Sequence, residues 1–248
     1  MIPSALYREP ALIDPAAHRH LKLGTFADFS VTKHMHAVYI AATEFPLAAL
    51  DFPIVFVNTG EAPNVVMSPI VLLGLVPNEN LYIEGKRWDA RYIPAFIRRY
   101  PFVSANVRGT QQVGVMIDTA WSGISTTEGE PLFLEGDKPA PALERAVEFL
   151  RMFEVEAQRT RHFCQRLQDL ALLRPMQVDA TLPSGQHMAI DGFMTVEEDK
   201  LKALPDATVV EMHRNGMLGL LQLHLASLAN MRHLVERKGR AAAAAATA

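Results

Sequence analysis

Residues 142–174 contain neither glycine nor proline, and no other stretch constrains the fold as much. Those two residues are the usual interrupters of helices, through backbone entropy and a missing N–H donor. The stretch therefore reads as one long helix. Leu143, Val147, Leu150, Ala157, Cys164, Leu167, Leu170 and Ala171 mark one apolar stripe along it. The opposite face carries Glu148 with Arg151 and Glu156 with Arg159, pairs at i,i+3 spacing that give modest local support. At ~1.5 Å per residue such a helix is roughly 50 Å long, and Thr160 is the natural place for a break. Cys164 lies on the stripe and reads as core rather than nucleophile, because no adjacent His–Asp pattern activates it.

The first half is strand-like and broken by proline. Short apolar runs at 26–31, 52–57, 65–75, 80–83 and 112–117 are bounded by Gly, Pro, Asn or Asp. Val113, Val115 and Ile117 alternate with polar or small neighbours, which gives that strand one apolar face. Two short helices interrupt the strands. Thr43 is placed to cap one over 44–50, with Pro46 tolerated in the first turn. A second, over 92–99, stops at Tyr100 because Pro101 disfavours helical geometry before it. Residues 122–141 read as a loop.

Strands over 176–182 and 188–194 flank a turn at 183–185. Thr195 and Glu198 have capping-box spacing for a helix reaching Leu204. Another short helix starts at Pro205 and Asp206 and is stopped by Asn215 and Gly216. The last helix, 217–238, is apolar around most of its girth, so it belongs at the centre of a core or against a second copy of the chain. The expected fold is a single α+β domain over 1–240. Its mixed, largely antiparallel sheet is covered by the long helix and the apolar C-terminal helix. The Ala-rich tail 241–248 is expected to fray into disorder.

Composition narrows the function classes. The 248 residues are 49% apolar with a net charge of −3, which gives no bulk drive toward nucleic acid or acidic membranes. One cysteine excludes an intramolecular disulfide and a cysteine-based metal cage. The longest apolar run, 65–76, is far short of the ~20 residues of a spanning helix. The amino terminus lacks the basic and apolar regions of a secretory signal, so the expected location is cytoplasmic.

Residues 80–102 hold the most unusual chemistry: Lys86, Arg87, Arg91, Arg98 and Arg99 interleaved with Trp88, Tyr92, Phe96 and Tyr100. Arginines beside aromatic faces bind anionic or planar ligands and anchor partner proteins. Aromatics packed inward with arginines reaching outward is the bland alternative. With Asp118 at a strand end, the candidate ligand or partner site is Trp88, Tyr92, Arg98, Arg99 and Asp118. His18 with His20 and His34 with His36 have the two-apart spacing of strand metal ligands. No HExxH or CxxC accompanies them, so no metal and no other cofactor is expected.

Several blocks together resemble the bacterial SapC-like family. They are EFPLAALDFPIVFV (44–57), NLYIEGKRWDARYIPAFIRRYPF (80–102), GVMID with its following Gly-Glu-rich turn, DGFMTVEEDKLKAL, and the closing LHLASLANMRHL. The likeness runs in order from about His18 to Leu234, and residues 92–102 are its most specific part. The lack of a catalytic constellation and the Arg–aromatic segment point to a non-enzymatic accessory or interaction protein, and the resemblance ties it by family label to the bacterial surface layer or to nutrient uptake. The rival reading is a ligand-binding protein or enzyme whose cleft is formed by the five candidate residues. A metalloenzyme variant requires His18, His20, His34 and His36 to meet.

Overall fold

A computed structural model of the chain describes residues 6–60, 65–106, 113–181, 185 and 187–247. The first strands are β1 (Pro10–Leu12), β2 (Lys22–Leu23), β3 (Ala37–Tyr39), β4 (Ile54–Thr59) and β5 (Val66–Leu72). Then come β6 (Ile83–Glu84), β7 (Arg87–Trp88), β8 (Phe102–Asn106) and β9 (Val113–Asp118). The last are β10 (Ile124–Ser125), β11 (Glu130–Pro131), β12 (Leu173–Thr181) and β13 (His187–Val196). The short helices are α1 (Pro15–His18), α2 (Phe45–Ala48), α3 (Ala95–Arg98), α5 (Glu198–Lys202) and α6 (Asp206–Arg214). The long ones are α4 (Pro141–Asp169), α7 (Met217–Ser227) and α8 (Asn230–Thr247).

The main sheet has five strands in the order β12-β13-β4-β5-β3, every neighbouring pair antiparallel. It joins strands of the first half to the late hairpin, as the α+β expectation requires. A second sheet, β1-β9-β8, is also antiparallel and is separate from the first. Helix α4 bridges the two. Its early residues Leu143 and Leu150 pack with Phe102, Ile117 and Leu132 of the second core, while Cys164 and Leu167 join the main core. The helix is unbroken at Thr160, whose hydroxyl donates to the Glu156 carbonyl at 2.7 Å and accepts from the Ala42 N–H at 2.9 Å. Leaning on two cores moves its buried stripe, so Phe153 and Thr160 are buried while Val147 is exposed.

Several local expectations are corrected. The run at 26–31 is irregular and then a 3-10 turn over Phe29–Thr32, and the run at 80–83 contributes only to the β6–β7 hairpin. Thr43 is exposed and caps nothing; the buried Glu44 accepts the Ala41 N–H instead. The second short helix shrinks to the single turn α3, which starts after Pro94. Glu197 occupies the N-cap of α5 without a side-chain bond, and the Thr195 hydroxyl is used elsewhere. Of the expected 183–185 turn, residues 183 and 184 lie outside the described residues, as does residue 112 of the expected 112–117 strand.

The expected last helix is two helices. Ser227, at the end of α7, accepts the Ile54 N–H at 3.0 Å and donates to the His224 carbonyl at 2.6 Å. Asn230, opening α8, donates to the carbonyls of Ala49 and Phe52 at 2.8 and 3.2 Å. Buried backbone groups need partners, and these two side chains supply them to the turn entering β4. Gly216, at φ 80°, allows the reversal from α6 into α7. The alanines after Arg240 continue α8 as helix through Thr247.

His224 lies under this break, fully buried within an otherwise leucine-rich helix. One ring nitrogen, Nδ1, donates to the Ile54 carbonyl at 2.9 Å. The other, Nε2, accepts from the Val196 N–H at 3.1 Å and from the Thr195 hydroxyl at 3.0 Å. The imidazole thus stitches α7 to β4 and β13 in its neutral form. Burial pushes its pKa down to about 4.

Candidate functional site

Two buried carboxylates clamp the segment that carries the paired arginines. Glu44 accepts the Ala41 N–H on Oε1 at 2.7 Å, and on Oε2 both the Tyr92 hydroxyl and the Ala95 N–H, each at 2.7 Å. Asp118, fully buried at the end of β9, accepts the Tyr100 hydroxyl at 2.9 Å and the N–H groups of Glu9 and Arg8 at 2.8 and 3.1 Å. Helix α3 lies between these anchors. Burial, helped by the adjacent carboxylates, raises the pKa of Tyr92 and of Tyr100, so both phenols remain donors.

Arg98 and Arg99, at the end of this clamped turn, part company. A helix rotates ~100° per residue, so neighbours cannot share a face. Arg98 is exposed: its Nε donates to the Ile93 carbonyl at 2.9 Å, Nη2 reaches the Tyr92 hydroxyl at 3.3 Å, and the guanidinium lies 5.7 Å from the Tyr92 ring and 5.3 Å from the Phe149 ring. Arg99 is only 9% exposed. Its guanidinium sits 4.2 Å from the Phe96 ring centre and 4.9 Å from that of Phe153. Its Nε has no hydrogen-bond partner, and no carboxylate among the described residues forms an ion pair with it. Burial lowers its pKa, opposed by Tyr7 and by the charge of Glu154.

Arg99 borders a recess of about 340 Å³ between α3, α4 and the open part of β5. Tyr39, at the end of β3, lines the same recess, and its buried hydroxyl also lacks a partner. The neighbouring Thr160 hydroxyl donates to Glu156 and accepts from Ala42, and its remaining lone pair works on the Tyr39 phenol against the larger effect of burial. Burial pushes the Tyr39 phenol up to about 12, which keeps it protonated. Val66, Met67, Pro69 and Ala157 supply apolar wall, and Glu154 and Arg161 are the other charged lining groups. The recess therefore combines the charges of Arg99, Arg161 and Glu154, the hydroxyl-bearing residues Thr59, Ser68 and Thr160, aromatic faces and an apolar wall.

Of the five residues singled out in the sequence, Arg99 alone lines this recess. Trp88 is buried among Phe29, Phe52 and Tyr82, with its indole N–H donating to the Tyr92 carbonyl at 2.8 Å. Tyr92 and Asp118 serve as parts of the clamps, and Arg98 faces outward. His18 is buried in α1, where Nδ1 meets the backbone of Asp14, whereas His20, His34 and His36 are exposed. Among the described residues no three His, Cys, Asp or Glu side chains are grouped to hold a metal ion. Cys164 is buried, and burial raises its thiol to about 12. The second orphan, Tyr39, and the aromatic Phe153 escaped the sequence reading. They lie far apart in the chain, and only an apolar–aromatic strand end and a helix position mark them.

Residues 13–234 match the SapC family model. The chain belongs to the SapC family. The match spans all the elements that form the recess, from β3 through α4, together with the carboxylates Glu44 and Asp118 and the turn between them. No curated protein and no solved structure matches the chain. Among the described residues no helix is long and apolar enough to cross a membrane.

Proposed function

We propose that this SapC protein is an accessory binding protein that holds a small anionic ligand beside Arg99. The supporting observation is the guanidinium itself: buried, in no ion pair with a described carboxylate, and bordering the recess. Withdrawing such a charge from water without a counter-charge costs several kcal/mol, which a bound anion offsets. Tyr39 supports binding rather than proton abstraction, because a phenol held near 12 donates a hydrogen bond and makes a poor base at neutral pH. The family label suggests the setting, an accessory role in the surface layer or in nutrient uptake, and the cytoplasm is the location we favour.

Thermal melts of the purified chain with sodium acetate, benzoate, phosphate and sulfate test this reading. At least one anion is expected to raise the midpoint with concentration, by mass action on the folded state. The rise is expected to vanish in folded Arg99→Met. Unchanged midpoints with all four, or a rise that survives in Arg99→Met, would refute it. A second reading, a protein partner seated on α3, is favoured by the exposed Arg98 held over Tyr92 and Phe149. Pull-down from the native bacterium with wild type and Arg98→Ala tests it; capture indifferent to the substitution removes it.

A further inference from the structure

We propose a second binding site, sharing no lining residue with the recess beside Arg99, that takes the phosphate group of a small phosphate monoester. It is a recess of about 290 Å³ between the segment at Leu6–Arg8 and the 3-10 turn over Phe29–Thr32. Leu6 and Val31 supply apolar wall, and Ser30, Arg8, Lys33 and His34 complete the lining. The three basic residues are exposed, so a molecule in solvent reaches their side chains. No acid lines the recess, and among the described residues none of the three forms an ion pair.

Elsewhere on the surface cations meet carboxylates, as Arg19 does with Asp137 and Arg91 with Asp51. The acids near this recess are engaged away from it. Asp28 pairs with Lys86 at 3.1 Å and accepts the Ser30 N–H and hydroxyl. Glu9 accepts from the Thr119 hydroxyl at 3.5 Å, and buried Asp118 takes the backbone N–H of Arg8 rather than its guanidinium. The five residues before Leu6 bring no acidic side chain. With the Ser30 proton committed to Asp28, the side-chain donors of the lining belong to Arg8, Lys33 and His34. The permanent charges of Arg8 and Lys33 match the about −1.5 to −2 that a phosphate monoester carries at pH 7. Arginine offers phosphate two parallel N–H groups, lysine a point charge, and the imidazole a further N–H. A monocarboxylate leaves one of the two charges unmatched. The backbone is set before binding: Asp118 holds Arg8, and the Lys33 N–H closes the turn on the Ser30 carbonyl at 3.1 Å. A recess this small admits only a compact body against Leu6 and Val31.

Titration calorimetry with ethyl phosphate, propionate and inorganic phosphate at one pH and ionic strength tests it, with folded Arg99→Met isolating this site from the other recess. Ethyl phosphate is expected to bind at least about tenfold more tightly than propionate. Through its ethyl group it is expected to bind about fivefold more tightly than inorganic phosphate. Arg8→Gln and Lys33→Gln are each expected to weaken ethyl phosphate about tenfold and, being exposed, to leave urea unfolding unchanged. Amide spectra of the wild-type chain locate the site should Arg99→Met fail to fold, with shifts expected at Arg8 and at residues 30–34. Propionate as tight as ethyl phosphate, binding indifferent to both Gln variants, or no shift at those amides overturns the site. Inorganic phosphate as tight as ethyl phosphate overturns the monoester assignment. The anion reading at Arg99 survives each of these outcomes, since the two recesses share no residue.

Discussion

His224 and Arg99 are two basic side chains hidden to a similar degree, and the protein treats them in opposite ways. Under α7 the imidazole is neutral, and both ring nitrogens have partners drawn from β4 and β13. Under α4 the guanidinium keeps its charge, has an unpaired Nε and opens onto a recess. A fully satisfied buried group strengthens a fold, whereas an unsatisfied one weakens it and persists only where something else uses it. The first arrangement is what building a core requires. The second is what a binding site requires, and the contrast separates construction from recognition within one chain.

The sharpest way to break this contrast is at the satisfied groups. Asp118→Ala strands the buried Tyr100 hydroxyl and takes the acceptor from the part-buried N–H groups of Arg8, Glu9 and Ala120, and is expected to cost about 3 kcal/mol in urea unfolding. A loss below about 1 kcal/mol would mean that the clamp is solvated rather than structural. His224 gives a pH signature. Its folded pKa of about 4 lies below the ordinary 6.5, so the unfolded chain binds the proton more readily between those values. Its contribution is complete above pH 6.5 and falls as the pH drops toward 4, by about 3 kcal/mol in all. Stability curves of wild type and His224→Gln across that window should diverge in slope; parallel curves would contradict the burial of a neutral imidazole.

Arg99 should behave with the other sign. Arg99→Met removes a buried charge that no described ion pair balances, retains an apolar contact with Phe96 and Phe153, and is expected to leave ligand-free stability unchanged or raise it by about 1–2 kcal/mol. A drop beyond about 2 kcal/mol would place Arg99 with the structural groups. The smallest effect belongs to Ser227→Ala, expected to cost about 1 kcal/mol by freeing the Ile54 N–H.

Periodicity made the large features legible. The run without Gly or Pro became α4 as far as Asp169, while its last residues, Leu173 and Arg174, open β12; alternating apolar residues became β9, and short apolar runs became β4 and β5 of the main sheet. Local capping signals were less reliable, because a side chain with cap spacing can be claimed by a distant partner. Thr195 is the case in point: its hydroxyl belongs to His224, and the capping box never forms. The helix break at 228–229 was hidden for the same reason, since Ser227 and Asn230 answer to a turn almost two hundred residues away in sequence. The Arg–aromatic segment was visible as composition, but which of two adjacent arginines points inward depends on where Glu44 and Asp118 fasten the turn. Tyr39 carried no signal, because a single tyrosine at the end of an apolar strand resembles ordinary core.

The two carboxylates that hold α3 at either end have a further consequence for timing. They settle the pose of Arg99 while the chain folds, so an arriving molecule has almost no polypeptide left to arrange and forfeits chiefly its own tumbling freedom. Loaded and empty crystals should superimpose through this turn, and differences among ligands should show in how long each one stays.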